Sequence, residues 1–470
     1  MNDHLALKHL PFISRRDMLT HTAAGFGMVG LAGVCAAEQE SPAKSPSAAG
    51  PSAAGVGNPL TPKPSHFIAR AKHVIFLFMN GGPSHVDTFD PKPELKKQAG
   101  QPGPGGKFMP SPFVFNRYGE SGIEVSELYP NVGGCIDDIC VVRSMYTSTP
   151  NHEPGLFMMN SGSQQPIRPS LGSWLSYGLG TENQNLPGFV VLCPGKPVVG
   201  PALWSNSFLP GVFQGTHVNN SSMDPTRVIG HLKNSSIGSP SQRRLLDLMQ
   251  GMNQKHFEQR PQDLQLEARI QSLEIAYRMQ SEAQEAFDIS RESETTRTQY
   301  GSGEFADGCL IARRLVERGV RMVQLYYGSG QPWDAHGDIM DHRRDALKSD
   351  QPIAALIRDL KSRGLFDETL IVWGGEFGRT PTAQGDKGRN HHATGFSMWL
   401  AGGGIRGGIT YGATDDLGVK AVENRMSVHD LHATILHLMG IDHERLTFRY
   451  SGRDFRLTDV HGNVAHEIIA

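Results

Sequence analysis

The chain is poor in the residues and signatures that most often announce a chemistry. Five cysteines are spread over 470 residues with no Cys-x-x-Cys pair, which disfavours a thiolate zinc cluster. Cys135 and Cys140 are candidates for a bridge in an oxidising compartment. A charge surplus of either sign is also missing: the formal net charge is −2, so nothing argues for nucleic acid or a membrane surface as partner. There is no Gly-x-Ser-x-Gly elbow, no P-loop and no His-Glu-x-x-His. The Gly402-Gly403-Gly404-Ile405-Arg406-Gly407-Gly408 run lacks the downstream pattern of a dinucleotide fingerprint and reads as a tight turn. The uncharged stretch from Ala23 to Ala37 is only 15 residues, too short to span a bilayer comfortably, so no transmembrane span is expected in the mature chain.

That stretch follows Ser14-Arg15-Arg16-Asp17-Met18-Leu19 and ends in small residues. Paired arginines before a weakly hydrophobic segment read as a twin-arginine signal over residues 1–37, with export to the periplasm or beyond. Residues 38–66, rich in Ala, Ser, Pro and Gly, bury too little apolar surface to offset their ordering entropy and read as a disordered spacer. The remainder, 67–470, reads as one large domain. Its 54 glycines and 30 prolines, counted over the whole chain, suit an enzyme with long strand-to-helix connections.

Continuous apolar runs mark buried strands: His73 to Met79, Ile139 to Arg143, Phe189 to Leu192, Val320 to Tyr327, Thr369 to Trp373 and Phe396 to Leu400. From Phe305 onward these alternate with helical patterns, ending with a helix that Ser427-Val428-His429-Asp430 caps. A charged stretch from Gln262 to Arg297, with Leu266, Ile270, Leu273, Ala276 and Met279 near helical spacing, reads as one long amphipathic helix. The pattern predicts an α/β fold: a large three-layer domain whose mostly parallel sheet is flanked by helices.

The residues that can carry chemistry follow the strands, where ligands bind in open α/β sheets. Asp334 and His336, two positions apart after one strand, share a face in an extended segment and can reach one ion. Glu376 follows Gly374-Gly375 after the next, and Arg379 lies three residues on, suited to hold an anionic group or to pair with Glu376. His391 and His392 point in opposite directions if extended, which makes His391 the ligand candidate and His392 a packing group. Past the first strand, His85 and Asp87 line the site or serve turn chemistry instead. His152 precedes a helix and can be ligand, base or nucleophile, with Thr149 or Ser148 supplying a hydroxyl. Clustered histidines and carboxylates at strand ends point to a divalent metal ion (zinc, calcium or magnesium) and metal-assisted hydrolysis.

These segments carry a resemblance. His73 to Glu94, Trp333-Asp334-Ala335-His336-Gly337, Gly364 to Pro381 with its Glu-Phe-Gly-Arg-Thr-Pro motif, and Gly388 to Gly404 resemble a family of exported bacterial proteins with a domain of unknown function. That family is similar to the sulfatase and alkaline phosphatase superfamily. The resemblance implies an alkaline-phosphatase-like fold. Asn80-Gly81 falls where paired metal-binding aspartates stand, His152 where the nucleophile stands, Glu376-Phe377-Gly378 where Asp-His-Gly stands, and Asp334, His336 and His391 at the remaining ligands. No formylglycine precursor is present. The expected function is therefore an exported, metal-dependent hydrolase-like protein acting on a small phosphate or sulfate ester. The alternative is an inactive member that binds a sulfated or phosphorylated glycan or a cell-surface partner.

Overall fold

In a computed structural model, strand β1 (His73–Phe78) has all six residues buried, because it lies inside a sheet covered on both faces. The model describes residues 59–222, 238–259 and 274–470 apart from 276, 280 and 281. The leader and most of the spacer read from the sequence lie outside the described residues. Along β1, Ile75 and Leu77 enter one core with Phe305, Leu310 and Leu356. Val74, Phe76 and Phe78 enter the other with Leu156, Trp174 and Leu431. Period-two alternation of apolar residues thus builds two cores from one strand.

The remaining strands of this sheet are β2 (Ile139–Tyr146), β3 (Phe189–Leu192), β4 (Thr216–Val218), β5 (Met322–Tyr326) and β6 (Thr369–Gly374). A hairpin of β7 (Gly378–Gln384) and β8 (Gly388–His392) stands apart from it. The sheet resumes with β9 (Phe396–Ala401), β10 (Ile409–Tyr411) and β11 (Met426–Ser427). Its order is β10-β2-β9-β6-β1-β5-β3-β4, with β11 also on β2. Only β9 runs antiparallel to its neighbours, β6 and β2; the other pairings are parallel. The exception has a simple cause. The β7–β8 hairpin rises from the carboxyl end of β6 and returns there, so β9 enters the sheet from that edge and runs backwards.

Helices α1 (His152–Ser161), α2 (Leu171–Leu179) and, near the C-terminal end, α5 (Val428–Leu438) pack on one face. Helices α3 (Glu304–Glu317) and α4 (Asp341–Ser362) pack on the other. The architecture is a three-layer α/β domain with a mixed, mostly parallel sheet. Helix α1 begins earlier than its apolar residues suggest, at His152, after an extended Asn151, and stops at Gly162 in the left-handed region, φ 66°. Ser427 and Asp430 form the expected capping box on α5.

Two expectations are corrected. The stretch ending at Arg297 is not one helix: Asp288 caps a short 3₁₀ turn through its side chain, and Ser293 caps a new helix, Glu294–Tyr300. Leu266, Ile270, Leu273 and Ala276 lie outside the described residues. Cys135 and Cys140 do not bridge, since Cys135 packs in one core and Cys140 in the other, on opposite sides of the sheet.

Burial also fixes a pH response. His432 is pushed down to about 4 and His342 to about 3, chiefly by burial. His342 Nε2 accepts the Ser84 backbone N–H at 3.0 Å, which requires the neutral ring. As pH falls below about 6.5 the unfolded chain takes up a proton at each ring while the folded chain does not. Folding stability should therefore fall between pH 6.5 and about 4, by up to roughly 1.4 kcal/mol per pH unit for each ring. Urea midpoints at pH 7 and pH 5 check this, and a His432→Asn variant should lose one ring's share of the slope.

Candidate metal centre

The carboxyl ends of β1, β2, β5 and β6 lie on one edge of the sheet, and the site is assembled there. From the segment after β5 comes Asp334, and His336 follows with Nε2 3.0 Å from Asp334 Oδ1. The hairpin adds two residues directly opposite each other in its ladder, Arg379 on β7 and His391 on β8. His391 Nε2 is 3.3 Å from Asp334 Oδ1 and 2.9 Å from His336 Nε2. The first residue of α1, His152, brings its Nε2 to 3.3 Å from the same oxygen. The four donor atoms of His152, Asp334, His336 and His391 all lie within 4.8 Å of one another. All four are reachable from solvent: side-chain exposures are 11% for His152, 23% for Asp334, 34% for His336 and 18% for His391.

Surrounding groups fix the protons. His152 Nδ1 is 2.6 Å from Glu376 Oε1, and a carboxylate only accepts, so Nδ1 carries the hydrogen. Nε2 of His152 is buried and faces Asp334 Oδ1 at 3.3 Å, with room between them for a proton or a metal ion. His336 Nδ1 lies 2.5 Å from Gln384 Oε1, which likewise turns its Nε2 lone pair inward. Both nitrogens face Asp334 Oδ1, and His336 Nε2 also faces His391 Nε2 at 2.9 Å, contacts that repel unless a cation or a proton lies between them. Such outer acceptors are how proteins orient metal-binding histidines.

Electrostatics agree with the geometry. Burial raises the Asp334 carboxyl, but hydrogen bonds from His152 and His391 and the Arg379 charge outweigh it and hold the group well below the usual carboxylate range. Burial lowers His152, yet its bonds to Asp334 and Glu376 leave it raised overall. His391 is lowered, mainly by burial.

Several sequence candidates do not join the cluster. Glu376 is fully buried, and both its oxygens accept the Gly81 N–H, at 3.0 and 3.2 Å; it tethers His152 instead. Arg379 does not pair with Glu376 and has no exposed side-chain surface to offer a substrate. Its nitrogens bond Gly81 O, Gly82 O, Arg389 O and Asp334 Oδ1. Asn80 spends its amide on the backbone of Gly328 and Gly330. Asp87 is taken by Arg389, at 2.6 Å, and by the Ser84 hydroxyl. His85 Nε2 donates to Gly418 O at 2.9 Å, and the ring stacks on His392, 5.7 Å between centroids. The β8 alternation thus separates its adjacent histidines, one facing Asp334 and one facing His85. Thr149 Oγ1 accepts the Asn151 N–H, and exposed Ser148 accepts from Gln164. Sequence reasoning missed Gln384 and Arg389, whose partners stand 48 and 302 residues away.

Gly81 is where the backbones come closest. Its φ is +116°, and a Cβ there would stand 2.7 Å from Asp334 N and 2.8 Å from Trp333 C. Gly81→Ala should therefore displace the segment carrying Asp334, costing on the order of 2–3 kcal/mol. It should also weaken metal binding, which urea unfolding and metal titration of the same variant would show together.

A cleft of about 620 Å3 is lined by Thr147, Ser148, His429, Asp430, His461 and Asn463 among others, and none of the four donors lines it. Ser148 and His152 are four residues apart, hence at most about 14 Å along an extended chain.

Fold and site together define a three-layer α/β protein with a candidate metal centre at the carboxyl edge of its sheet. Residues 71–469 match the family model described as "Protein of unknown function (DUF1501)", and the chain belongs to that family. No curated protein matches it. Among solved structures it is similar to Ps i-CgsB in complex with k-i-k-neocarrahexaose, at 11% identity and TM-score 0.38, over 79% of this chain and 72% of that one. It is also similar to the lipoteichoic acid synthase LtaP from Listeria monocytogenes, at 9% identity and TM-score 0.37, over 86% and 79%. For the PsFucS1 sulfatase from Pseudoalteromonas sp. the figures are 14% identity and TM-score 0.35, over 80% and 69%.

Proposed function

We propose that the protein is an exported, metal-dependent hydrolase acting on phosphate or sulfate monoesters. The observation that carries the reading is the convergence of His152, Asp334, His336 and His391, with the outer nitrogens of His152 and His336 already committed to acceptors. A divalent ion held by these four would polarise an ester oxygen or acidify a water. One such ion and Arg379, set against Asp334 and Glu376, leave an excess of positive charge, and the amino-terminal end of α1 adds to it. That field favours an anionic group. Arg379 braces Asp334 from behind, and Glu376 holds the Nδ1 proton of His152. The nearby hydroxyl of Thr149 is turned to its own loop, so water is the attacking group in this reading. Among the described residues no helix is long and apolar enough to cross a membrane.

One observation favours a second reading. Four protein donors close a tetrahedral site, as structural ions are closed, whereas catalytic zinc keeps an open position. On that reading the centre is an inactive scaffold that binds a sulfated or phosphorylated glycan. Metal content by elemental mass spectrometry, followed by assays with p-nitrophenyl phosphate and sulfate, decides between them. Ion-dependent turnover that disappears in Asp334→Ala supports the hydrolase. A bound ion with no ester turned over, but saturable binding of a sulfated oligosaccharide, selects the scaffold.

A further inference from the structure

We infer that the centre takes a single zinc-class transition-metal ion, that His152 is its fourth ligand, and that the buried guanidinium of Arg379 occupies the place of a second cation. This rests on the proposal that the four residues bind an ion, and not on whether any ester is turned over.

The donor set selects the ion. Three imidazole nitrogens and one carboxylate oxygen suit zinc and its neighbours, whereas calcium takes six to eight oxygens and magnesium an octahedron of oxygens. The spacing selects the coordination number. An ion with bonds of about 2.0–2.1 Å holds tetrahedral ligands roughly 3.3 Å apart. The distances from Asp334 Oδ1 to the nitrogens of His336, His152 and His391 are 3.0, 3.3 and 3.3 Å. His152 is placed as these ligands are. Its Nδ1 proton goes to Glu376, and its Nε2 is buried and turned to the same Asp334 oxygen. A residue acting as a nucleophile would need the lone pair of that nitrogen free for the substrate.

Among the described residues no second ligand group accompanies this one. The remaining carboxylates near the centre are consumed, Glu376 by the Gly81 N–H and His152, and Asp87 by Arg389 and Ser84. Behind Asp334 a cation is already in place: Arg379 lies among Gly81 O, Gly82 O, Arg389 O and Asp334. Three fixed carbonyls and a carboxylate around a fully buried guanidinium satisfy it without further charge.

The test uses the full-length protein stripped with a chelator and reloaded separately with zinc, cobalt(II), calcium or magnesium. One zinc or one cobalt per chain is expected, with calcium and magnesium released on desalting. Cobalt should give the intense visible bands of a four-coordinate centre. His152→Gln should weaken zinc binding about 100-fold or more and change those bands, while His152→Cys should add a thiolate-to-cobalt charge-transfer band. That gain of signal also guards against a variant that has merely unfolded. Two ions per chain, or calcium retained in place of zinc, overturns the inference. So does a cobalt spectrum indifferent to His152→Gln. A single zinc bound as described, with no ester hydrolysed, overturns the hydrolase reading and leaves this one standing.

Discussion

Asp334→Ala is expected to abolish metal binding and to lower folding stability by about 3 kcal/mol. The two effects share one cause. A single oxygen of Asp334 faces His152, His336, His391 and Arg379 at once. With the carboxylate gone, three imidazoles lose their common anionic neighbour, and Arg379 keeps its charge in a fully buried position with only carbonyl oxygens for company. Breaking a buried pair from one side costs more than the pair contributes, because the survivor cannot be resolvated. Asp334 is itself partly exposed, so the loss should lie at the lower end for such pairs. Asp334→Asn retains an oxygen for Arg379 but offers a poor ligand. It should recover most of the stability and little of the metal affinity. Urea unfolding and elemental analysis on both variants separate the roles; equal stability losses in the two would mean that the Arg379 contact is not what Asp334 contributes.

The fold was largely legible in the chain because its central strands are buried on both faces and carry unbroken apolar runs. The run from His73 needs no partner to be recognised. The closeness of Asp334 and His336, and the opposite directions of His391 and His392, agree with the faces that alternation in an extended chain assigns them. What escaped was pairing at a distance. Whether Glu376 binds an ion or tethers a histidine depends on Gly81, 295 residues earlier, and on His152, 224 residues earlier. Arg379 reads as an anion clamp or a partner of Glu376 until the carbonyls of Gly81 and Gly82 are seen around it. The antiparallel course of β9 was hidden for a different reason. Gly378 to His392 carries polar residues that read as a loop, although the two halves pair as a hairpin.

That hairpin supplies the other large effect. Arg389→Leu is expected to cost about 3–5 kcal/mol and to loosen the metal centre although Arg389 touches none of its four donors. Asp87 and Arg389 both have fully buried side chains. Arg389 bonds both Asp87 oxygens, at 2.6 and 3.2 Å, and also the carbonyls of Thr380 and Met109. Burial pushes the Asp87 carboxyl up, but the charge and bonds of Arg389 outweigh it and keep the group ionised. Leucine leaves that carboxylate without a counter-ion, so protonation or local opening must follow. The opening would spread to the site, since the backbone of Arg389 bonds Ala335 O and the strand delivers His391 two residues later. Replacing both partners, Asp87→Asn with Arg389→Met, removes the buried charges together and should return part of the stability. Unfolding free energies for the two single variants and the double, closed as a cycle, measure the coupling. Zinc affinity of the double variant then reports whether the pair also aligns His391: stability restored with affinity still low assigns it the aligning role, and both restored confines it to holding the fold.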